Sequence, residues 1–392
     1  MAVNVLSERR TEIAPDTVSV SVVIPCLNEA DSIGQCVEAA RRVLDEHALG
    51  GEVVVVDNGS DDGSATLALL AGARVVEEPH RGYGNAYLAG FAAAQGDYIV
   101  MIDADLSYDF EEIPRFIREL DDGAELVMGN RMGALQPGSM SIVSRIGNPL
   151  MSRFLNLLFR TPVSDTWCGL RAFRREILPV LGLQATGMEF ASEMVIRAAR
   201  SGVEIRELPI ALHPREGQSK LSPFRDGWRS LRLMLVYKPN FLFLVPGLAL
   251  GALGALLMGL AFVHAALFGD LYFVHSIGGS LLVVVGAQLI GFGLCGRAYA
   301  VYQLGDRDRL LEAMARRIRM EHGLLLGIAL IGTGVALGVL GVDHRLAGNA
   351  NAAVDTPLSI LAVTLIIVGM QVFFTSFLLS LVGLRRGGGA RG

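Results

Sequence analysis

The chain has 392 residues, a formal net charge of −5 and 52% hydrophobic residues, with a mean hydropathy of +0.45. That length allows two or three domains. The acidic balance, with no basic stripe interleaved with aromatics, excludes a nucleic-acid binder. Cys26, Cys36, Cys168 and Cys295 form no C-x-x-C pair. A disulfide framework or zinc site is therefore not expected, and reduced thiols suit a cytosolic domain.

The N-terminal 15 residues carry Arg9 and Arg10 but no apolar core of a signal peptide, which leaves the first domain in the cytosol. Beyond them the pattern reads βαβαβαβ. Strands are predicted at 18–25, 52–57, 74–77 and 97–103, with a fifth at 126–129. Helices are predicted at 31–46, 64–71 and 85–95. Such alternation implies an α/β domain with a mainly parallel sheet and helices on both faces. Ligands of these sheets bind beyond the carboxyl ends of the strands.

That rule gathers the polar residues. The first strand runs into Pro25-Cys26-Leu27-Asn28-Glu29, the second into Asp57-Asn58-Gly59-Ser60, and the fourth into Asp103-Ala104-Asp105. Asn28, Asp31 and Ser60 would each serve equally well as helix caps. An isolated D-x-D would serve as a polar turn. Their convergence favours a nucleotide site. Paired carboxylates are hard ligands of the kind Mg2+ or Mn2+ takes, with substrate phosphates completing the shell. Gly82-Tyr83-Gly84 is a weak phosphate-loop candidate that lacks the full dinucleotide fingerprint. Cys168, beside Trp167, reads as a small packing residue. Of the 34 basic residues only Lys220 and Lys238 are lysines, and a retained lysine can mark a need for a compact ammonium.

Two amphipathic segments follow. Ile142, Ile146, Leu150, Phe154, Leu157 and Leu158 fall at helical spacing among Arg145, Arg153 and Arg160. An interfacial helix and a core helix explain this segment equally well. Phe224, Trp228, Leu231 and Leu235 form a second stripe, with Arg225, Arg229 and Arg232 off it, suited to the headgroup plane. Four apolar stretches, 241–267, 277–301, 323–342 and 358–384, each reach the ~20 residues that cross a bilayer. Basic residues crowd before the first, between the second and third, and after the fourth. This places both termini in the cytosol. The expected domains are 1–221 catalytic, 222–240 a juxtamembrane amphipathic helix, and 241–392 transmembrane.

In order and spacing, VVIPCLNEADSI, VVVVDNGSDDGS, RGYGNAYLAGF and IDADLS resemble family 2 glycosyltransferases of the GT-A fold. GNRMG, SDTWCGLRAFRREIL, MEFASEM and REGQSKL sharpen the resemblance to membrane-attached polyprenyl- or dolichol-phosphate glucose and mannose synthases. The resemblance covers roughly residues 18–240. It implies that Pro25, Leu27, Asn28, Glu29, Asp57, Gly59, Asn85, Asp103 and Ala104 bind the nucleotide. Asp103 and Asp105 would bind Mg2+ or Mn2+ and the donor diphosphate. Some relatives carry Gln where Ser107 stands, so a third metal ligand there is left open. Arg131, Ser144, Arg145, Arg215 and Lys220 would contact donor or acceptor phosphates. Asp103, Asp105, Arg131 and Lys220 form the expected catalytic set, and Asp165, Glu189 and Glu193 match acceptor-side carboxylates.

The expected partners are a UDP- or GDP-hexose and a polyprenyl phosphate, in a prokaryotic plasma membrane. The expected reaction gives a polyprenyl-phosphate monosaccharide by metal-dependent, inverting transfer of a hexose, with UDP-glucose or GDP-mannose as donor. A membrane polysaccharide synthase is disfavoured because no Q-x-x-R-W motif is present and no span precedes the catalytic half. A non-catalytic binder of lipid-linked sugar is disfavoured because Asp103, Asp105 and Lys220 are intact. The homo-oligomeric state stays open, since glycine-rich spans can pack between subunits.

Overall fold

A computed structural model describes residues 18–215, 222–238, 240–267, 271–303, 320–347 and 352–384. The chain divides into two compact units, 1–234 and 235–392.

The first unit is built on a seven-stranded sheet. Its strands are β1 (Val20–Cys26), β2 (Gly51–Asp57), β3 (Arg74–Glu77), β4 (Tyr98–Met101), β5 (Leu126–Asn130), β6 (Arg171–Arg174) and β7 (Ile205–Pro209). The order is β3-β2-β1-β4-β6-β5-β7, and every neighbouring pair is parallel except those of β6. The central strands are continuous apolar runs because helices cover both faces. Val22, Val23, Ile24, Val54, Val55, Val100 and Ile99 are all buried.

The helices are α1 (Ile33–Glu46), α2 (Ser64–Leu70), α3 (Tyr83–Ala93), α4 (Ile113–Asp121), α5 (Ile142–Phe159), α6 (Leu178–Leu181), α7 (Phe190–Ser201) and α8 (Pro223–Tyr237). The first five strands match the sequence reading within a few residues. Strands β6 and β7 and helices α4, α6 and α7 were not expected. β6 begins with a fully buried arginine, Arg171, and β7 is a half-buried edge strand with mixed polarity. Neither shows the apolar run that marks a central strand.

Helix α5 splits its residues sharply. Asn148, Ser152, Leu155 and Leu158 are buried, whereas Ile142, Val143, Ile146, Leu150 and Leu157 are exposed. Leu158 thus belongs to the packed side and not to the apolar stripe expected from the sequence. On α8, Ser230 and Met234 are buried while Phe224 and Trp228 are exposed.

The second unit holds α9 (Val245–Leu267, entered through a π-helical turn at Asn240–Leu244), α10 (Leu271–Gln303), α11 (Met320–Leu346) and α12 (Ala352–Leu384). Four spans, Phe241–Val263, Tyr272–Ala298, Glu321–Leu346 and Val354–Leu381, are long and apolar enough to cross a membrane. The later three begin before the predicted limits, and the second and fourth end three residues short of them. Glycines let the helices approach closely. A Cβ on Gly286 would lie 2.6 Å from the Gly251 amide nitrogen, and one on Gly327 would lie 2.8 Å from the Gly369 carbonyl oxygen.

Candidate active site

The carboxyl ends of β1, β2 and β4 meet at one edge of the sheet, and side chains tie their loops together. The Asn28 amide donates to Ser60 Oγ at 2.9 Å, and Asn28 Oδ1 accepts from the Asp61 amide at 2.9 Å. Asn28 has φ of 52°, a left-handed conformation that asparagine tolerates. The Glu29 amide donates to Ser64 Oγ at 2.8 Å. Gly59 has φ of 86°, which turns the chain so that the Ser60 amide reaches Asp57 Oδ2 at 3.2 Å. Asp57 Oδ1 is buried with no partner among the described residues. An acceptor in that condition at a strand end is suited to an N–H or O–H of a ligand.

Ala104 is locked from the other side, its carbonyl accepting from Ser32 Oγ at 2.6 Å. Asp103 Oδ1 accepts from Tyr83 at 3.0 Å and from Tyr87 at 3.4 Å. Burial, and next the neighbouring Asp105, push the Asp103 carboxyl up to about 6. Gly169 lies against the other Asp103 oxygen, where a Cβ would collide with it. Asp105 Oδ1 accepts from the Ser107 amide at 3.1 Å and its hydroxyl at 2.5 Å. Asp105 Oδ2 pairs with Arg215 Nη2 at 2.8 Å. Leu106, between them, has φ of 57°, strain of the kind held at functional loops.

Arg131 and Asp165 form a buried fork. Nε and Nη2 donate to the two carboxylate oxygens at 2.6 and 2.8 Å, and the Arg131 amide adds a third bond at 3.2 Å. Nη1 donates to the Tyr108 hydroxyl at 3.3 Å. Burial alone would lower the Arg131 pKa, but Tyr108 and Asp165 hold it well above its ordinary value. Glu193 is also committed, its Oε2 accepting from the Gln184 and Ala185 amides at 2.9 and 2.7 Å. Glu189 Oε2 is buried without a hydrogen-bond partner among the described residues. Ser144 and Arg145 lie in the first turn of α5, where Ser141 caps the Ser144 amide at 3.1 Å. Among the described residues no hydrogen bond or ion pair joins them to the carboxylates. Pro25 and Leu27 flank the end of β1, and the Asn85 side chain donates to the His80 carbonyl at 3.0 Å. Lys220 lies outside the described residues.

Known proteins match this chain along most of its length. Residues 21–182 match the family described as glycosyl transferase family 2, and 294–383 match its C-terminal transmembrane region. A low-salt glycan biosynthesis hexosyltransferase, Agl6, of Haloferax volcanii is 39% identical over 95% of this chain and 90% of its own. The chain belongs to the family 2 glycosyltransferases. A dolichyl-phosphate hexose transferase of the same organism is 37% identical over 53% of this chain and 88% of its own. An undecaprenyl-phosphate 4-deoxy-4-formamido-L-arabinose transferase of Pseudomonas fluorescens is 34% identical over 71% and 83%.

The glycosyltransferase therefore has a GT-A domain and a transmembrane region, and is an integral membrane protein. Several of its site-building residues are not evident from the motifs alone. Tyr83 and Tyr87, one helical turn apart on α3, both reach Asp103. The glycines around Tyr83 have a reason other than phosphate binding. Cβ atoms at Gly82 and Gly84 would strike the Thr186 and Ala185 carbonyls. Arg171 is fully buried and donates to the Cys168, Thr166 and Ala191 carbonyls at 3.0, 2.7 and 2.9 Å. It clamps the segment before β6 to α7. Burial pushes the Cys168 thiol up to about 12, in keeping with a packing residue.

Proposed function

We propose that this glycosyltransferase moves a hexose from UDP-glucose or GDP-mannose to a polyprenyl phosphate, on the cytosolic face of the membrane and with inversion. The observation that carries the reading is the Asp103–Asp105 pair at the end of β4 with the Arg215 guanidinium seated on Asp105. A cation is already favoured at that carboxylate. Two hard carboxylates, backed by a glycine and not by a third acidic side chain, fit Mg2+ or Mn2+ whose remaining ligands are diphosphate oxygens and water. When bound, the ion supplies Lewis-acid neutralisation of the leaving diphosphate.

In this reading Asp57 takes a hydrogen bond from the base or ribose through its open Oδ1. The nucleophile is a phosphate oxygen of the acceptor, already anionic near neutral pH. Its lone pair forms the new bond to the anomeric carbon as the bond to the nucleoside diphosphate breaks. No strong general base is required. Cations that hold the phosphate are required, and Arg215, Arg145 and Lys220 serve that role. Arg131 is spent on Asp165, so it acts by positioning the loop after β5. The relatives named as dolichyl- and undecaprenyl-phosphate sugar transferases support the acceptor class.

The test incubates the full chain in lipid with Mg2+ or Mn2+, polyprenyl phosphate and a panel of UDP- and GDP-sugars, and detects sugar-lipid by mass spectrometry. One donor should give product that Asp105→Ala abolishes. Nucleotide binding without any lipid product would overturn the reading.

A further inference from the structure

The spans carry an amide pair that is only half satisfied among the described residues. Gln288 on α10 is exposed, and Gln371 on α12 donates from Nε2 to Gln288 Oε1 at 2.9 Å. The other half of this pair is unmet. Gln371 Oε1 is buried without a partner, and no hydrogen bond from Gln288 Nε2 is found among the described residues. Both residues stand ten positions from the ends of their spans, at Ala298 and Leu381. At ~1.5 Å per residue that is about 15 Å inside the apolar segment. An amide with free N–H groups at such depth is costly, because lipid tails offer no acceptor.

The surroundings say what could satisfy it. Val274, Ile277, Leu281, Val285 and Phe292 are exposed on α10, and together with Gln288 they follow steps of three and four. They form one lengthwise ridge with a single amide in it. The glycine-lined faces are already used inside the chain, Gly279 and Gly286 of α10 against Gly254 and Gly251 of α9. A primary amide is self-complementary, having two donors and an acceptor with two lone pairs.

We propose that the Gln288 ridge of α10 is a contact surface for a second copy of this chain. A two-fold axis along the membrane normal brings two Gln288 side chains to equal depth. Each Nε2 then donates to the other's Oε1, and the flanking ridge residues pack around the pair. This inference is independent of the donor and acceptor assigned above.

The experiment uses the full chain in proteoliposomes, with Cys295→Ser as background, since Cys26, Cys36 and Cys168 are buried in the first unit. Gln288→Cys is oxidised with copper phenanthroline and oxygen, with Leu325→Cys on α11 as a lipid-exposed control. A disulfide-linked dimer of this chain is expected for Gln288→Cys and not for Leu325→Cys. Energy transfer between two dye-labelled populations should show dimerisation weakened about three- to tenfold by Gln288→Leu, and less by Gln288→Asn, in line with the modest worth of intramembrane hydrogen bonds. A monomer at every lipid dilution, an oligomer unaffected by Gln288→Leu, or cross-linking of the Gln288→Cys variant only to another protein would overturn the proposal.

Discussion

Arg215 Nη2 lies 2.8 Å from Asp105 Oδ2, so a side chain read from the sequence as an acceptor-phosphate ligand is bonded to a carboxylate read as a metal ligand. The two readings are compatible if the guanidinium and a divalent ion compete for one oxygen. Arg215→Gln should then tighten Mn2+ binding without nucleotide about three- to tenfold, the scale of a partly exposed ion pair. It should also lower turnover on polyprenyl phosphate. Titration calorimetry checks the first outcome and product mass spectrometry the second. Unchanged Mn2+ affinity would show that the pair does not compete with the ion.

The tyrosines of α3 give a graded prediction. Tyr83 donates to Asp103 at 3.0 Å and Tyr87 at 3.4 Å, and a hydrogen bond to a charged group is worth about 1.5–3 kcal/mol. Tyr83→Phe should reduce kcat about ten- to hundredfold, and Tyr87→Phe distinctly less. Equal losses would mean that the two hydroxyls hold Asp103 equally well, and no loss in either variant would mean that the rings matter and the hydroxyls do not. The two rings meet edge to face at 4.9 Å, a contact that phenylalanine preserves.

These two relationships show where sequence reading stops. The parallel half of the sheet was legible because β1, β2 and β4 are apolar runs ending in polar clusters. The gathering of Asn28, Asp57 and Asp103 at one edge followed from that topology alone. The partners of those residues were not legible, since they come from distant positions. Asp165 meets Arg131 across 34 residues, and Arg215 returns to Asp105 from beyond β7. Glu193 is read from its motif as an acceptor-side carboxylate, and the fold places two backbone amides on its Oε2. Burial and bonding of a carboxylate depend on packing that periodicity does not encode.

The Arg131–Asp165 fork carries a stability prediction. Asp165 is fully buried, and removing one partner of a buried pair costs about 3–5 kcal/mol because the other charge is stranded. Asp165→Ala should destabilise the soluble unit by that amount in denaturant titrations. Trp167 and Trp228 are the chain's two tryptophans, and both report on that unit. Replacing both partners, Arg131→Met with Asp165→Leu, should cost less than Asp165→Ala alone. Additive losses would show that the two groups do not act as a pair.

Glu52 sets a pH dependence. Burial works to raise its pKa, but hydrogen bonds from Arg74, the Gln95 amide and Ser21 outweigh it and hold the carboxyl below its ordinary value of 4.5. A lowered folded-state pKa contributes stability above the unfolded value, and this is lost as pH falls through the folded value. Wild type should therefore exceed Glu52→Gln in Tm above about pH 4.5, with the gap closing as the pH falls below that. A gap that is constant with pH would assign the effect to shape and not to charge.

The exposed stripe of α5 carries a prediction about lipid. Ile142, Ile146, Leu150 and Leu157 are exposed, with Arg145 and Arg153 beside them, an arrangement suited to anionic headgroups. A buried core helix would not leave these side chains out. Ile146→Glu with Leu150→Glu places two charges on that surface without touching Asn148, Ser152 or Leu155, which hold the packed side. Donor binding should be unchanged, while turnover on polyprenyl phosphate in bilayers falls about tenfold or more. Turnover on a short-chain acceptor in detergent should change little, because no bilayer need be approached. An equal loss in both assays would assign the stripe to folding and not to the membrane.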